Sequence, residues 1–288
     1  MPEPRERSLT VASTGAPPHR LAFWEWGDPE APNVVICAHG LSRSGRDFDL
    51  LAQTLANDYR VVCPDYPGRG ASERLADPSL YHNGTYTADT LALIDALAFE
   101  RLDFVGTSMG GLVGMAIAAL PDAPIRRLVM NDVGPFLPGS ALEQIGDYLI
   151  TRPTFRTRAD ALAYFRKAYA GFGPLEEAHY EHMVTHLTVP AAGGDGLVPH
   201  YDPAIIDTFL RALAGDIELW EIWEAIDVPV LVLRGEDSPL LTRETALKML
   251  DRAVPTRLIE FPGCAHAPSL MVEEQIRQVA DWLTGETP

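Results

Sequence analysis

The chain has 288 residues, 47% of them apolar and 22% charged, a balance that fits a soluble globular protein with a full buried core. With 40 acidic side chains against 23 basic ones, the formal charge of −17 repels phosphate backbones and anionic lipid, so neither nucleic acid nor a membrane is an expected partner. No run approaches the roughly 18 apolar residues of a bilayer span. The polar start, Met1 to Ser8, is followed by no apolar segment of a secretory signal. Cys37, Cys63 and Cys264 are odd in number and widely spaced, which points to free thiols and a cytoplasmic setting.

In chain order, the runs around Thr10 to Ser13 and Leu21 to Trp26 read as an antiparallel edge pair. Short β-branched segments then alternate with helical patterns. Strands are predicted at Val34–Ala38, Arg60–Cys63, Asp103–Gly106, Arg127–Asn131, Val230–Arg234 and Arg257–Phe261. Helical periodicity marks Phe48–Asn57, Thr87–Phe99, Met109–Leu120, Thr242–Arg252 and Val272–Leu283, with Thr242 as an N-cap. This alternation predicts an α/β fold built on a doubly wound, mostly parallel sheet. Between Gly134 and about Asp227 the pattern is helical, broken by prolines and by the loop Ala191–Gly196, with no strong strand. The expected organisation is a core of residues 1–134 and 228–288, with residues 135–227 inserted after the sixth sheet strand. That insert is either a cap over the site or a plain extra layer of helices.

Gly106-Thr107-Ser108-Met109-Gly110 has the form G-x-S-x-G and falls between a predicted strand and a predicted helix. That context defines a nucleophile elbow, a tight turn whose glycines let a serine hydroxyl stand above the sheet edge. Leu41, after His39-Gly40 at the end of an earlier strand, and Met109, at the start of the helix, would aim two N–H groups at an oxyanion. His39 itself reads as a structural hydrogen-bonding residue. His266 lies between the last strand and the last helix and is the one histidine after His200, which makes it the candidate base. Cys264 is a rival nucleophile close to the same histidine, but the serine motif is better formed.

These pieces, with Asp65-Tyr66-Pro67-Gly68-Arg69-Gly70-Ala71-Ser72 and Gly263 to Pro268, resemble the α/β-hydrolase superfamily from about Thr10 to Leu283. GTSMGGLVGM and VMNDVGP are similar to a bacterial subgroup of esterase-like hydrolases. The resemblance implies the α/β-hydrolase fold with a helical cap after the sixth strand, and a Ser-His-acid triad that needs neither metal nor organic cofactor. It also makes the Asp65-to-Ser72 loop a structural wall beside the oxyanion hole. The chain departs from the family at the acid. Most members carry aspartate three residues after the glycine that ends the seventh strand, where Arg234-Gly235-Glu236-Asp237-Ser238-Pro239 has Ser238. In the subgroup an aspartate usually follows that serine, and here Pro239 stands there. Asp237, one residue early, and Asp132, at the end of the sixth strand, both remain candidates, with Asp132 placed slightly ahead.

His179, His182 and His186 share a helix face, but their span of about 10 Å along the axis is too long for one ion, so no metal is expected. Trp220 and Trp223 read as a packing face. The function expected is a serine hydrolase acting on small carboxylic esters through an acyl-enzyme. A carbon–carbon bond or lactone hydrolase with the same triad is the alternative, as is a non-catalytic hydrolase-fold receptor or scaffold. Substrate identity and oligomeric state are not encoded in these motifs.

Overall fold

The computed structural model describes residues 3–12 and 17–285. Its sheet has eight strands: β1 Arg5–Val11, β2 His19–Trp26, β3 Asn33–Ala38, β4 Arg60–Asp65, β5 Arg101–Thr107, β6 Ile125–Asn131, β7 Val230–Gly235 and β8 Thr256–Phe261. They lie in the order β1-β2-β4-β3-β5-β6-β7-β8. Both pairings of β2 are antiparallel, and all others are parallel. Every residue of β7, and all but the first of β3, is buried, as expected of strands with helices on both faces. Along these strands alternate side chains feed two cores. Val34, Ile36, Phe104 and Met130 face one, while Val35, Cys37, Val105 and Leu233 face the other. Edge strand β1 is largely exposed and carries Arg5, Glu6 and Arg7, charges that discourage pairing with another chain.

The helices are α1 Asp49–Leu55, α2 Asn83–Ala96, α3 Met109–Ala118, α4 Gly139–Leu149, α5 Arg158–Ala168, α6 Glu177–Leu187, α7 Pro203–Ala212, α8 Trp220–Glu224, α9 Arg243–Leu250 and α10 Glu273–Thr284. Thr242 caps α9, its hydroxyl accepting the Thr245 N–H. The helix α2 opens four residues before the predicted start, because His82 acts as its cap and accepts the Thr85 N–H at 3.3 Å. The first strand ends at Val11, earlier than the run predicted for it, and Ser13 lies outside the described residues.

Helices α4 to α8 all fall between β6 and β7. The insertion is not free of strand: Phe136–Leu137 pairs with Ile217–Glu218, and Thr188–Pro190 with Leu197–Pro199. These two- and three-residue pieces are too short for a period-2 pattern to register. Phe155, Phe165, Tyr169, Met183 and Leu187 of this segment cluster with Met271, while Leu142, Leu149, Ile205, Ile206 and Trp223 join the main core. Trp223 is fully buried, and the Arg252 guanidinium stacks 5.1 Å from the Trp220 ring. Among the described residues no helix is long and apolar enough to cross a membrane.

Helix α3 sits close to the sheet because Gly114 presents no side chain there. A methyl group would stand 2.6 Å from Phe104 Cδ1 and 2.8 Å from Leu128 Cδ1. Alanine raises helix propensity by about 1 kcal/mol, but overpacking costs about 1–3 kcal/mol. Gly114→Ala is therefore expected to lower the urea midpoint of unfolding; a rise would mean that the sheet yields freely.

Candidate active site

Parallel strands end on one edge of the sheet, so the loops after β3, β5, β6, β7 and β8 converge there. Ser108 links β5 to α3 at φ 53° and ψ −116°, a conformation costly for any residue with a side chain. Its N–H donates to Asn131 O at 3.0 Å, pinning the turn to β6. The flanking glycines are obligatory. A Cβ on Gly106 would lie 2.3 Å from Gly110 O, and one on Gly110 would lie 2.1 Å from Ala38 O.

His266 Nε2 is 3.0 Å from Ser108 Oγ, and its Nδ1 is 2.7 Å from Asp132 Oδ2. The neutral ring with its hydrogen on Nδ1 donates to the carboxylate and accepts from the serine. The Asn131 amide anchors the histidine loop by donating to Pro268 O at 2.8 Å. Asp132 is fully buried. Besides His266, it accepts the Gly235 N–H at 2.8 Å and the Ser238 hydroxyl at 2.6 Å. A buried carboxylate with three donors meets the condition for holding charge away from water.

Asp237 stands apart from this constellation. It is exposed, its N–H donates to Cys264 O at 2.8 Å, and among the described residues no hydrogen bond joins its carboxylate to His266. Ser238, at the family's usual acid position, instead supports the carboxylate on the neighbouring strand. Its oxygen also accepts the Leu240 and Leu241 N–H groups, each at 3.2 Å.

Leu41 follows β3, and Met109 opens α3, whose first N–H groups have no acceptor within the helix. Buried Arg69 ties the two together. Its Nε donates to Leu41 O at 2.8 Å, Nη1 donates to Pro67 O and to the Tyr86 hydroxyl at 2.9 Å each, and Nη2 lies 3.7 Å from Met109 Sδ. His39 has both ring nitrogens engaged, Nδ1 with Gly40 O at 2.7 Å and Nε2 with the Tyr66 N–H at 3.0 Å. Burial, with the nearby Arg69 charge, holds His39 well below the usual histidine range. The Cys264 thiol is buried and pushed up by that burial, which keeps it protonated.

Ser108, His266, Leu41 and Met109 all line a cavity of about 520 Å³. Residues between β6 and β7 line it as well, including Leu142, Ile145, Phe209 and Leu213. The lining is mainly apolar, the ordinary character of a small-molecule site. Away from it, His182 and His186 gather with Asp49, not with His179, their ligand atoms within 4.8 Å of one another. His179 is turned to its own helix start, accepting the Glu176 N–H at 2.9 Å. Arg46 already takes both Asp49 oxygens, a cation in the place an ion would occupy.

The model of the alpha/beta hydrolase family matches residues 35–282, and the chain belongs to that family. It is 45% identical over 274 residues to a 3-hydroxybutyrate-oligomer hydrolase of Cupriavidus necator, covering 93% of this chain and 94% of that one. A 2-hydroxy-6-oxo-2,4-heptadienoate hydrolase of Pseudomonas putida is 29% identical over 270 residues, covering 90% and 92%. Among solved structures, a hydrolase from Rickettsia typhi superposes with a TM-score of 0.91 at 32% identity, over 98% of this chain and 100% of that one. An α/β hydrolase from Novosphingobium aromaticivorans gives 0.86 at 34% identity, over 98% and 99%. The chain is thus a hydrolase with the α/β-hydrolase fold.

Ser238→Ala removes one donor from the buried Asp132. A hydrogen bond to a charged group is worth about 1.5–3 kcal/mol, so kcat on p-nitrophenyl acetate is expected to fall about ten- to a hundredfold. An unchanged kcat in a folded variant would show that the hydroxyl does not hold the carboxylate.

Proposed function

We propose that this chain is a serine esterase in which Ser108, His266 and Asp132 act as one relay. The observation that carries the reading is the unbroken path of two hydrogen bonds, 3.0 Å and 2.7 Å, from the serine through the imidazole to the carboxylate. Ser108 Oγ attacks the ester carbonyl while His266 Nε2 takes its proton. The Leu41 and Met109 N–H groups hold the oxyanion, and His266 passes the proton to the leaving alkoxide. Water, activated by the same imidazole, then cleaves the acyl-enzyme. Asp132 stays ionised, keeps the ring in one orientation and stabilises the imidazolium.

The insertion acts as a cap in this reading, since it supplies a large part of the cavity lining. The substrates it favours are short oligoesters of hydroxyacids, supported by the name of the 45% identical relative. A second reading, hydrolysis of a carbon–carbon bond by the same relay, draws on the Pseudomonas putida relative but on lower identity. Three buried free thiols support a reducing, cytoplasmic setting.

Ser108→Ala is expected to lower turnover of p-nitrophenyl acetate and of 3-hydroxybutyrate oligomers by at least about a thousandfold, and to abolish labelling by a fluorophosphonate. Substantial activity in that variant would sink the scheme. Asp132→Asn should lose about 10³- to 10⁴-fold in kcat, whereas Asp237→Ala should stay within about threefold of wild type. The reverse ranking would move the acid to Asp237.

A further inference from the structure

Arg43 lies on the cavity wall with only 8% of its surface exposed. Asp47 takes one edge of the guanidinium, Nε to Oδ2 at 2.6 Å and Nη2 to Oδ1 at 2.9 Å. The cation stacks on the insertion, its Cζ 4.7 Å from the Tyr169 ring centroid and 5.6 Å from that of Phe172. Burial works against the charge, but Asp47 and the Tyr169 hydroxyl together outweigh it and hold the guanidinium above its usual range. Nη1 is buried and makes no hydrogen bond among the described residues. An arginine offers two forked edges. Asp47 occupies the Nε–Nη2 edge, and of the three nitrogens Nη1 is the one without a hydrogen bond.

Leaving a buried charged donor unpaired is costly; the Tyr169 hydroxyl stands beside the guanidinium, and the cavity that Arg43 lines is the space from which a further acceptor would come. The site is close to the chemistry. A Cβ placed on Gly40 would be 3.7 Å from Arg43 Cγ and 3.7 Å from Ser108 Cβ, so those two atoms lie within twice that distance of each other. Among the described residues lining the cavity, Arg43 is the one lysine or arginine, and the one carboxylate, Asp47, is already bound to it.

We propose that the free end of the Arg43 fork binds the terminal carboxylate of an acid-ended hydroxyacid ester. The inference rests on the serine-esterase reading and adds the direction in which the substrate lies. The carboxylate belongs to the leaving group. Cleavage of the ester C–O bond leaves the acyl part on Ser108 and gives the departing alkoxide the proton held by His266. Water then returns Ser108 and frees the shortened acid. Oligomers are consumed from the acid end, and the apolar wall takes the chain that trails from it.

The test compares the 3-hydroxybutyrate dimer as free acid with its methyl ester. Wild type is expected to favour the acid at least tenfold in kcat/KM, and Arg43→Gln to bring that ratio near one, chiefly by raising KM for the acid. Arg43→Lys, which keeps the charge but not the fork, should fall between them. Equal use of both substrates by wild type overturns the proposal, as does a variant that loses both equally. A readout needing no variant is inhibition of wild-type p-nitrophenyl acetate hydrolysis: 3-hydroxybutyrate should compete at least tenfold better than its methyl ester, and equal inhibition overturns the assignment. If wild type turns over neither p-nitrophenyl acetate nor the dimer, the esterase reading itself fails. Turnover without acid preference removes Arg43 alone.

Discussion

A carboxylate in the fully buried position of Asp132 is tolerable only if its oxygens are paired. The pairing comes from three separate parts of the chain: the Gly235 N–H at the end of β7, the Ser238 hydroxyl beyond it and the His266 imidazole after β8. Each bond couples the requirement of the charge to the position of a loop. The Asp132 N–H adds a fourth tie, to Leu233 O at 2.8 Å. The result is a rigid seam between β6 and β7 from which the imidazole is presented to the serine. On the proposed mechanism this preorganisation matters more than any one contact, since the proton transfers need the ring held in one plane.

The sheet was readable from sequence because parallel strands buried on both faces appear as short apolar runs, as in Val34-Val35-Ile36-Cys37 and Val230-Leu231-Val232-Leu233. The elbow was readable because its glycines are sterically enforced: Gly106 and Gly110 each face a backbone oxygen at a distance that no side chain survives. What escaped were contacts between distant positions. Nothing local distinguishes Asp132 from Asp237; the difference arises because β6 and β7 are neighbours in the sheet, an order the chain does not spell out. Arg69 was assigned only to a structural loop, yet it joins the carbonyl of Leu41 to the side of Met109. Ser238 was noticed as a departure from pattern, and its partner is 106 residues away.

The total charge of −17 also conceals the local field. Arg43 and Arg69 are both buried beside the loop that follows β3, Arg43 paired with Asp47 and Arg69 held by neutral acceptors, so cations stand close to the site although the molecule is acidic. Charges removed from solvent are screened far less than those on the surface, so these groups act on their neighbours at short range. Burial first, and then the same two guanidiniums, oppose protonation of His39 and His200. Both imidazoles therefore stay neutral hydrogen-bonding struts.

The contact between positions 132 and 238 brings the ends of two paired strands to one place. Two strands that lie next to each other each offer a seat from which a carboxylate can meet the same neighbourhood, and here one seat holds the acid while the other holds a hydroxyl. An exchange of the two side chains would preserve the number of donors and acceptors while shifting the negative group from one strand to its neighbour.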